Sequence, residues 1–171
     1  MSEIRRLTID DVDAYVEVRR AMLEESPQAF LANVETDIGC DAAKMRANLE
    51  SGDDNAVYGA FGPDLIGAVG ILRFTRHVKA AHRAELWGMW VHPDARGQGL
   101  GRALVDPAVF HARDKMPGAR QVHLGGVVTQ EAARRLYEGC GFQAWGTEPG
   151  AVLLDGRLYD ETHMVLPLDV R

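Results

Sequence analysis

The sequence predicts an α/β fold in one domain over residues 1–171, with a mixed central sheet that is antiparallel early and parallel in its middle. Strand-like runs at 56–61, 65–74 and 85–92 are joined closely enough to indicate an antiparallel meander. An amphipathic helix pattern then separates 85–92 from an apolar run at 121–128. This strand–helix–strand succession implies a right-handed crossover between two parallel strands. Because the chain has no repeat and no linker-like stretch, one domain is expected.

The N-terminal elements are short and bounded by clear signals. Residues 4–7 are predicted to form a strand, and Thr8 is placed to cap a helix. Ser26-Pro27 ends that helix. A second, less regular helix is predicted over 41–49.

The C-terminal half alternates helices and strands. An apolar stripe predicts a helix over 99–114, but Pro107 lies inside it and removes a hydrogen bond, so a kink or a shorter helix is expected. Another amphipathic helix ends before Gly141, which suits a left-handed stop. Residues 142–146 and 158–166 are predicted to be the closing strands.

The composition excludes several classes of protein. The formal net charge is −6 and no basic run tracks a phosphate backbone, so nucleic acid is not an expected partner. No stretch approaches the roughly 20 apolar residues of a membrane span. The N-terminus lacks the apolar core of a signal peptide, so a cytoplasmic protein is expected. Cys40 and Cys140 lie far apart, and the histidines lack metal-ligand spacing, so neither a disulfide framework nor a metal is predicted.

A glycine-rich turn between a predicted strand and helix is the most informative segment. The first amides of a helix have no partners within it and attract anions. Gly97, Gly99 and Gly101 keep Cβ atoms away from this turn, and Arg96 and Arg102 add positive charge. The segment therefore predicts a cradle for an anion, and a diphosphate suits it best.

The spacing within this turn selects among diphosphate sites. The Gly-Lys-Ser/Thr ending of nucleotide triphosphatases is absent. Arg102 stands where a dinucleotide fingerprint has its third glycine. The Arg-x-x-Gly-x-Gly run from Arg96 to Gly101 resembles instead the coenzyme A pyrophosphate loop of the GCN5-related N-acetyltransferase (GNAT) family. A later segment resembles that family's second signature at Ala133, Leu136, Tyr137, Gly141 and Phe142, with Gln130 in place of the usual Asn.

This resemblance implies a GNAT fold over nearly the whole chain and acetyl-coenzyme A as the co-substrate. A neutral amine would attack the thioester directly, without an acyl-enzyme. Gly88 indicates a bulge that would free backbone amides for the pantetheine and the thioester. The residues expected to bind the coenzyme are Met89, Trp90, Val91, Arg96, Gly97, Gln98, Gly99, Leu100, Gly101, Arg102, Gln130, Ala133 and Tyr137.

Two catalytic residues follow from the resemblance. Tyr137 matches the family's usual general acid, which protonates the coenzyme sulfur. Glu85, at the start of the strand that leads into the glycine turn, is the best candidate for the base; the alternative is a solvated residue at a strand end. Glu161 and Asp160 could attract a cationic amine, and His163 could approach the acceptor, although a polar hairpin end is the plainer interpretation.

The acceptor stays open at this point. A small-molecule amine or amino acid is the first expectation, and a polyamine, an aminoglycoside or a protein N-terminus are alternatives. A coenzyme-binding regulatory module without catalysis is a further alternative, which the retained Tyr137 and Glu85 disfavour. Many members of the resembled family dimerise, so a homodimer is left open.

Overall fold

A computed structural model describes residues 2–127 and 130–168. Its centre is a seven-stranded sheet in the order β1-β2-β3-β4-β5-β7-β6. The strands are β1 Glu3–Arg6, β2 Asn55–Phe61, β3 Leu65–Arg73, β4 Arg83–Val91, β5 Gln121–Val127, β6 Gln143–Leu154 and β7 Arg157–Pro167. The α-helices of the described residues are α1 Val12–Glu25, α2 Ala42–Leu49, α3 Leu100–Lys115 and α4 Glu131–Gly139.

The predicted mixed sheet is confirmed. Strands β1 to β4 form an antiparallel meander, and β5, β7 and β6 are joined antiparallel to one another. The parallel contact is between β4 and β5, across the α3 crossover, and its register runs from Arg83 beside Gln121 to Glu85 beside His123. Beyond these pairs β4 and β5 share no further register, and a cavity occupies the space between their C-terminal halves.

A bulge in β4 accompanies this divergence. Ala68 of β3 pairs with Trp90, while Gly70 pairs with Trp87. Three residue steps along β4 therefore lie opposite two along β3, so β4 has one extra residue here. Gly88 within the bulge has a φ of 60°, a conformation that side chains rarely adopt. The bulge that the sequence predicted at this glycine is confirmed.

Helices cover both faces of the sheet. On one face, α3 and α4 pack against β2 to β5 and β7 through the largest apolar cluster. On the other face, α1 and α2 pack against β2 and β3 through a second cluster that includes Val12, Tyr15 and Met45. Among the described residues, no helix combines the length and the apolar character that a membrane span requires.

Several predicted boundaries differ from the structure. Thr8 precedes a short 3-10 turn, Ile9–Asp11, and the α-helix begins only at Val12. The predicted strand at 121–128 is β5 as far as Val127, and Val128 lies outside the described residues. The closing strands are longer than predicted, above all β6, which reaches Leu154.

Pro107 does not shorten its helix. Helix α3 runs through it from Leu100 to Lys115, so the shorter helix, one of the two expected outcomes, is wrong, and a kink stays a prediction. Leu104, Val105 and Ala108 around the proline are fully buried against the sheet. This apolar burial offsets the hydrogen bond that proline cannot donate.

A buried histidine links α3 to the sheet and gives a test of the fold. His111 is 2% exposed; its Nε2 lies 2.8 Å from the Asp53 carbonyl oxygen and its Nδ1 lies 3.1 Å from the Tyr58 hydroxyl. A neutral ring that donates from Nε2 and accepts at Nδ1 satisfies both partners.

We expect His111→Leu to lower the free energy of unfolding by about 2–4 kcal/mol, because both partners lose their hydrogen bond. Urea denaturation would measure this change, with Phe110→Leu as the control on the exposed side of the same helix. Equal midpoints for His111→Leu and the wild type would contradict the account of this contact.

Candidate active site

A cavity of about 520 Å³ opens where β4 and β5 diverge. Its walls come from α1 and the turn after it, the bulged half of β4, the glycine turn, β5, α4 and β7. The structure brings most of the predicted site residues to this cavity, namely Glu85, Met89, Trp90, Val91, Arg96, Gly97, Gly99, Leu100, Gly101, Gln130, Ala133 and Tyr137. Gln98 of the glycine turn and Arg102 of the first turn of α3 do not line the cavity.

The glycine turn has the backbone shape that the sequence predicted. Gly97 and Gly99 have φ angles of 77° and 79°, and an added Cβ at either would meet open space. Gly99 is the N-cap of α3, so the unpaired amides of the first helical turn lie beside the cavity. These amides, with the helix dipole behind them, can bind an anionic group.

Gly101 has a packing role in addition to its predicted part in coenzyme binding. A Cβ at this position would lie 2.8 Å from Cδ2 of Leu136 and 3.4 Å from Cε of Met89. The glycine therefore lets α3 approach α4 and β4 closely, and its replacement would disturb packing before it obstructed a ligand.

Both arginines of the turn already have partners. Arg96 donates from Nε to the Val91 carbonyl at 2.9 Å and from Nη2 to Glu25 at 2.9 Å. Arg102 donates to the Gly139 carbonyl at 2.9 Å and lies 3.6 Å from Asp106. Glu25 and Asp106 thus offset part of the positive charge that the sequence predicted from these arginines, and their binding of the coenzyme stays a prediction.

Glu25 is a site residue that the sequence analysis missed. Its carboxylate accepts hydrogen bonds from Trp90 Nε1 at 2.9 Å, from Arg96 Nη2 at 2.9 Å and from the Ser26 hydroxyl at 2.8 Å. Burial alone would raise the pKa of Glu25, but these hydrogen bonds hold it at about 2. The carboxylate stays ionised and ties the end of α1 to β4 and the glycine turn.

Tyr137 lies on α4 with its ring in the core and its hydroxyl available to the cavity. The residue is 9% exposed and packs edge-on against Phe142 at 5.9 Å between ring centroids. Among the described residues the hydroxyl has no hydrogen-bond partner. Burial raises the pKa of Tyr137, so the hydroxyl stays protonated at neutral pH and can donate.

Gln130, the residue that departs from the resembled signature, is the N-cap of α4. Its side chain makes no capping hydrogen bond, and it lines the cavity. The side-chain amide is therefore placed to contact a bound ligand.

Glu85 reaches the cavity from β4 in a half-buried position. Burial raises its pKa; Arg83 and His163 oppose this shift and the charge of Glu161 adds to it. A carboxylate with a raised pKa is a better proton acceptor near neutral pH than an exposed one. The alternative of a solvated residue at a strand end is not what the structure shows.

The sequence suggested three polar residues of the C-terminal hairpin for contact with the acceptor, and one of them lies at the cavity. Glu161 lines the cavity and lies over Gly125 of β5, where any Cβ would overlap its Oε1 atom. Asp160 instead accepts a hydrogen bond from the Gly150 amide at 2.8 Å. His163 contacts Glu148 at 3.1 Å and stacks on Trp145, so it does not line the cavity.

One group of potential metal ligands occurs in the part of the chain that the structure describes. Single ligand atoms of Glu148, Glu161 and His163 lie within 4.8 Å of one another. Exposed acidic groups commonly lie this close without an ion. The absence of a metal requirement stays a prediction.

Comparisons with known proteins agree with this geometry. The model of the Acetyltransferase (GNAT) family matches residues 18–142. A mycothiol acetyltransferase of Nocardiopsis dassonvillei is 44% identical over 64 residues, which are 37% of this chain and 19% of that protein. An L-amino acid N-acyltransferase of Escherichia coli is 36% identical over 84 residues, 48% of this chain and 47% of that protein. The chain therefore matches less than half the length of these relatives.

Solved structures share the fold along nearly the whole chain. A GNAT-family acetyltransferase of Streptococcus pneumoniae has a TM-score of 0.85 at 20% identity, covering 98% of this chain and 100% of its own. A Salmonella typhimurium protein solved with its cofactor acetyl-CoA has a TM-score of 0.83 at 24% identity, covering 100% of this chain and 96% of its own. The family model spans most of the sequence, and this chain belongs to the Acetyltransferase (GNAT) family.

Proposed function

We propose that this protein transfers the acetyl group of acetyl-coenzyme A to a primary amine of a small molecule, amino acids included, by direct attack. The observation that carries the proposal is the convergence of three groups on one cavity. These are the helix N-terminus at Gly99, the Tyr137 hydroxyl and the Glu85 carboxylate. Residues 1–171 would act as one N-acetyltransferase domain.

The residues that line the cavity would suit acetyl-coenzyme A. The amides at the start of α3 would hold the pyrophosphate, with the open space at Gly97 and Gly99 admitting it. The bulged segment from Gly88 to Val91 would present backbone amides to the pantetheine and the thioester carbonyl. The Salmonella relative of the same fold was solved with this molecule, which supports the assignment.

The reaction needs two proton transfers, one from the ammonium group of the acceptor and one to the coenzyme sulfur. An alkylammonium ion has a pKa of about 10.4, so its free base at pH 7 lies roughly 4–5 kcal/mol uphill. Glu85 would accept that proton, directly or through water, and Tyr137 would donate to the departing sulfur. The half-buried setting of Glu85 and the buried setting of Tyr137 favour these roles.

A small acceptor is favoured over a peptide. The segment after α1 places Ala29, Phe30, Leu31 and Ala32 along the wall of the cavity. The amino-acid acyltransferase among the relatives supports a small acceptor as well. Transfer to a peptide N-terminus and a non-catalytic coenzyme-binding module remain the two competing functions.

We also propose where the protein acts and what it binds. The protein would act in the cytoplasm, would bind neither nucleic acid nor a membrane, and would need no metal. A homodimer is compatible with the cavity, which residues of one chain line.

A panel of amines separates the competing functions. Thiol release from acetyl-coenzyme A would be measured with small amines, amino acids, an aminoglycoside and short peptides. Turnover with small amines supports the proposal, and turnover with peptides alone would overturn its acceptor class. Binding of acetyl-coenzyme A without turnover on any acceptor would indicate a regulatory module.

Gly99→Val tests the pyrophosphate site. We expect coenzyme A affinity to fall by at least about 10²-fold, because a β-branched residue is strained at positive φ and would displace the amides at the start of α3. Calorimetric titration would measure the affinity. Gly52→Val is the matched control, because Gly52 also has a positive φ in open space, at 97°, but does not line the cavity. Wild-type affinity in Gly99→Val would remove the assignment.

A further inference from the structure

We propose that the acceptor is a compact diamine or polyamine without a carboxylate, whose second ammonium group is bound by Glu161 while the reacting amine faces Glu85. This inference rests on the proposed acetyl transfer and narrows its acceptor class.

The two carboxylates lie on one face of the sheet and share one cavity. Glu85 pairs with His123 of β5, and Gly125, two residues farther along β5, lies under the side chain of Glu161. Both carboxylates line the cavity. The missing side chain at Gly125 is what allows Glu161 to approach from β7.

Neither carboxylate forms a hydrogen bond or an ion pair within the described part of the chain, and burial raises the pKa of each. The nearest cation on the same strand, Arg83, lies 5.0 Å over the ring of Phe74 and does not line the cavity. His163 lies 3.1 Å from Glu148 and within 4.8 Å of Glu161, and it lowers the pKa of Glu161. Because both carboxylates lack a paired cation, a cationic ligand in the cavity would gain from each of them.

The arginines that line the cavity are already occupied. Arg19 donates to Asp37 from Nε and from Nη2, both at 2.9 Å. Arg96 is held by Glu25 and by the Val91 carbonyl. The carboxylate of an amino-acid acceptor would thus find no unpaired arginine among the described lining residues, and it would meet the charges of Glu85 and Glu161.

The unpaired Tyr137 hydroxyl agrees with a ligand completing this cavity, and in the proposed function that ligand is the coenzyme. The residue is 9% exposed, and its hydroxyl has no partner in the described residues. The volume of about 520 Å³ must hold the acyl end of the coenzyme as well as the acceptor. A slender, unbranched cation fits this space better than a branched or bulky one.

Four matched acceptors test the inference without any mutation. Cadaverine and lysine carry the same two amines and differ by the carboxylate; lysinamide keeps the branch of lysine but removes its negative charge; n-pentylamine lacks the second amine. We expect kcat/KM for cadaverine to exceed those for lysine and n-pentylamine by at least about tenfold. Lysinamide should lie closer to cadaverine than lysine does.

Glu161→Gln identifies the group that binds the second amine. It should reduce the advantage of cadaverine over n-pentylamine by at least about tenfold, mainly through KM. Asp160→Asn removes the same charge one residue away, outside the cavity, and should leave that advantage intact.

Different results would overturn the diamine assignment and the proposed acetyl transfer. If lysine is used as well as cadaverine, or if Glu161→Gln slows all four amines equally, the diamine assignment is overturned and acetyl transfer stands. If no amine or peptide causes thiol release although acetyl-coenzyme A binds, the proposed function is overturned, and the diamine assignment with it.

Discussion

Replacing Tyr137 with phenylalanine should lower kcat by about 10²-fold while coenzyme affinity stays near that of the wild type. Phenylalanine keeps the ring that packs on Phe142 and removes only the hydroxyl. Because that hydroxyl has no partner among the described residues, its loss leaves no protein group unsatisfied. The variant should therefore fold with nearly unchanged stability.

The raised pKa of Tyr137 refines its role. A coenzyme thiol resembles a cysteine thiol, with a pKa near 8.5, so a buried tyrosine is the weaker acid of the two. In the proposed reaction, the main contribution of Tyr137 would then be a hydrogen bond to the developing thiolate, with full proton transfer following from solvent. Single-turnover kinetics would measure the chemical step. An unchanged rate for Tyr137→Phe in that step would reduce Tyr137 to a packing residue.

Replacing Glu85 with glutamine should lower kcat/KM at pH 7 by about 10²-fold, and the loss should shrink as the pH rises. Glutamine keeps the shape and some hydrogen bonding but cannot accept the ammonium proton. At higher pH the solution supplies more free amine, so the missing base matters less.

The direction of the pKa shift of Glu85 determines the acidic limb of the wild-type profile of kcat/KM against pH. Burial raises the pKa of Glu85, so the active carboxylate form is lost at a higher pH than for an exposed glutamate. The wild-type rate should fall on acidification through that pKa, and Glu85→Gln should lack this limb. Profiles of kcat/KM against pH with one acceptor would measure both features. Parallel profiles of equal height would make Glu85 a bystander, and a uniform drop without recovery would point to substrate positioning.

The order of the main elements could be predicted because their signals are local. Alternation, helical periodicity and turn residues identify the meander, α3 and the glycine turn within short windows of sequence. Pro149-Gly150 is a typical turn signal, yet both residues lie within β6. This strand is the last in the sheet, where a proline costs no ladder hydrogen bond and the register shifts between Glu148 and Val152.

Some features of the site could be predicted from the sequence, and others could not. The turn from Gly97 to Gly99 and the bulge at Gly88 could be predicted, because glycine at positive φ is a local requirement. The contacts of Glu25 could not, because its partners Trp90 and Arg96 lie 65 and 71 residues away. Only the packed structure brings such groups together, and no spacing in the sequence encodes their distance.

The presence of Glu161 in the same cavity as Glu85 could not be predicted from the sequence either. It depends on β7 pairing with β5 and on Gly125 having no side chain. A sequence can indicate an acidic hairpin, but it cannot indicate which of Asp160 and Glu161 enters the cavity.

The most direct test of acetyl transfer counts both products in one reaction. Acetyl-coenzyme A and the fastest acceptor of the amine panel would be incubated with the protein, and the free thiol and the N-acetylated amine would be quantified in the same samples. We expect the two to form in equal amounts, at a rate that depends on the amine. Thiol release without acetylated amine, or equal thiol release with and without the amine, would contradict transfer in this cavity.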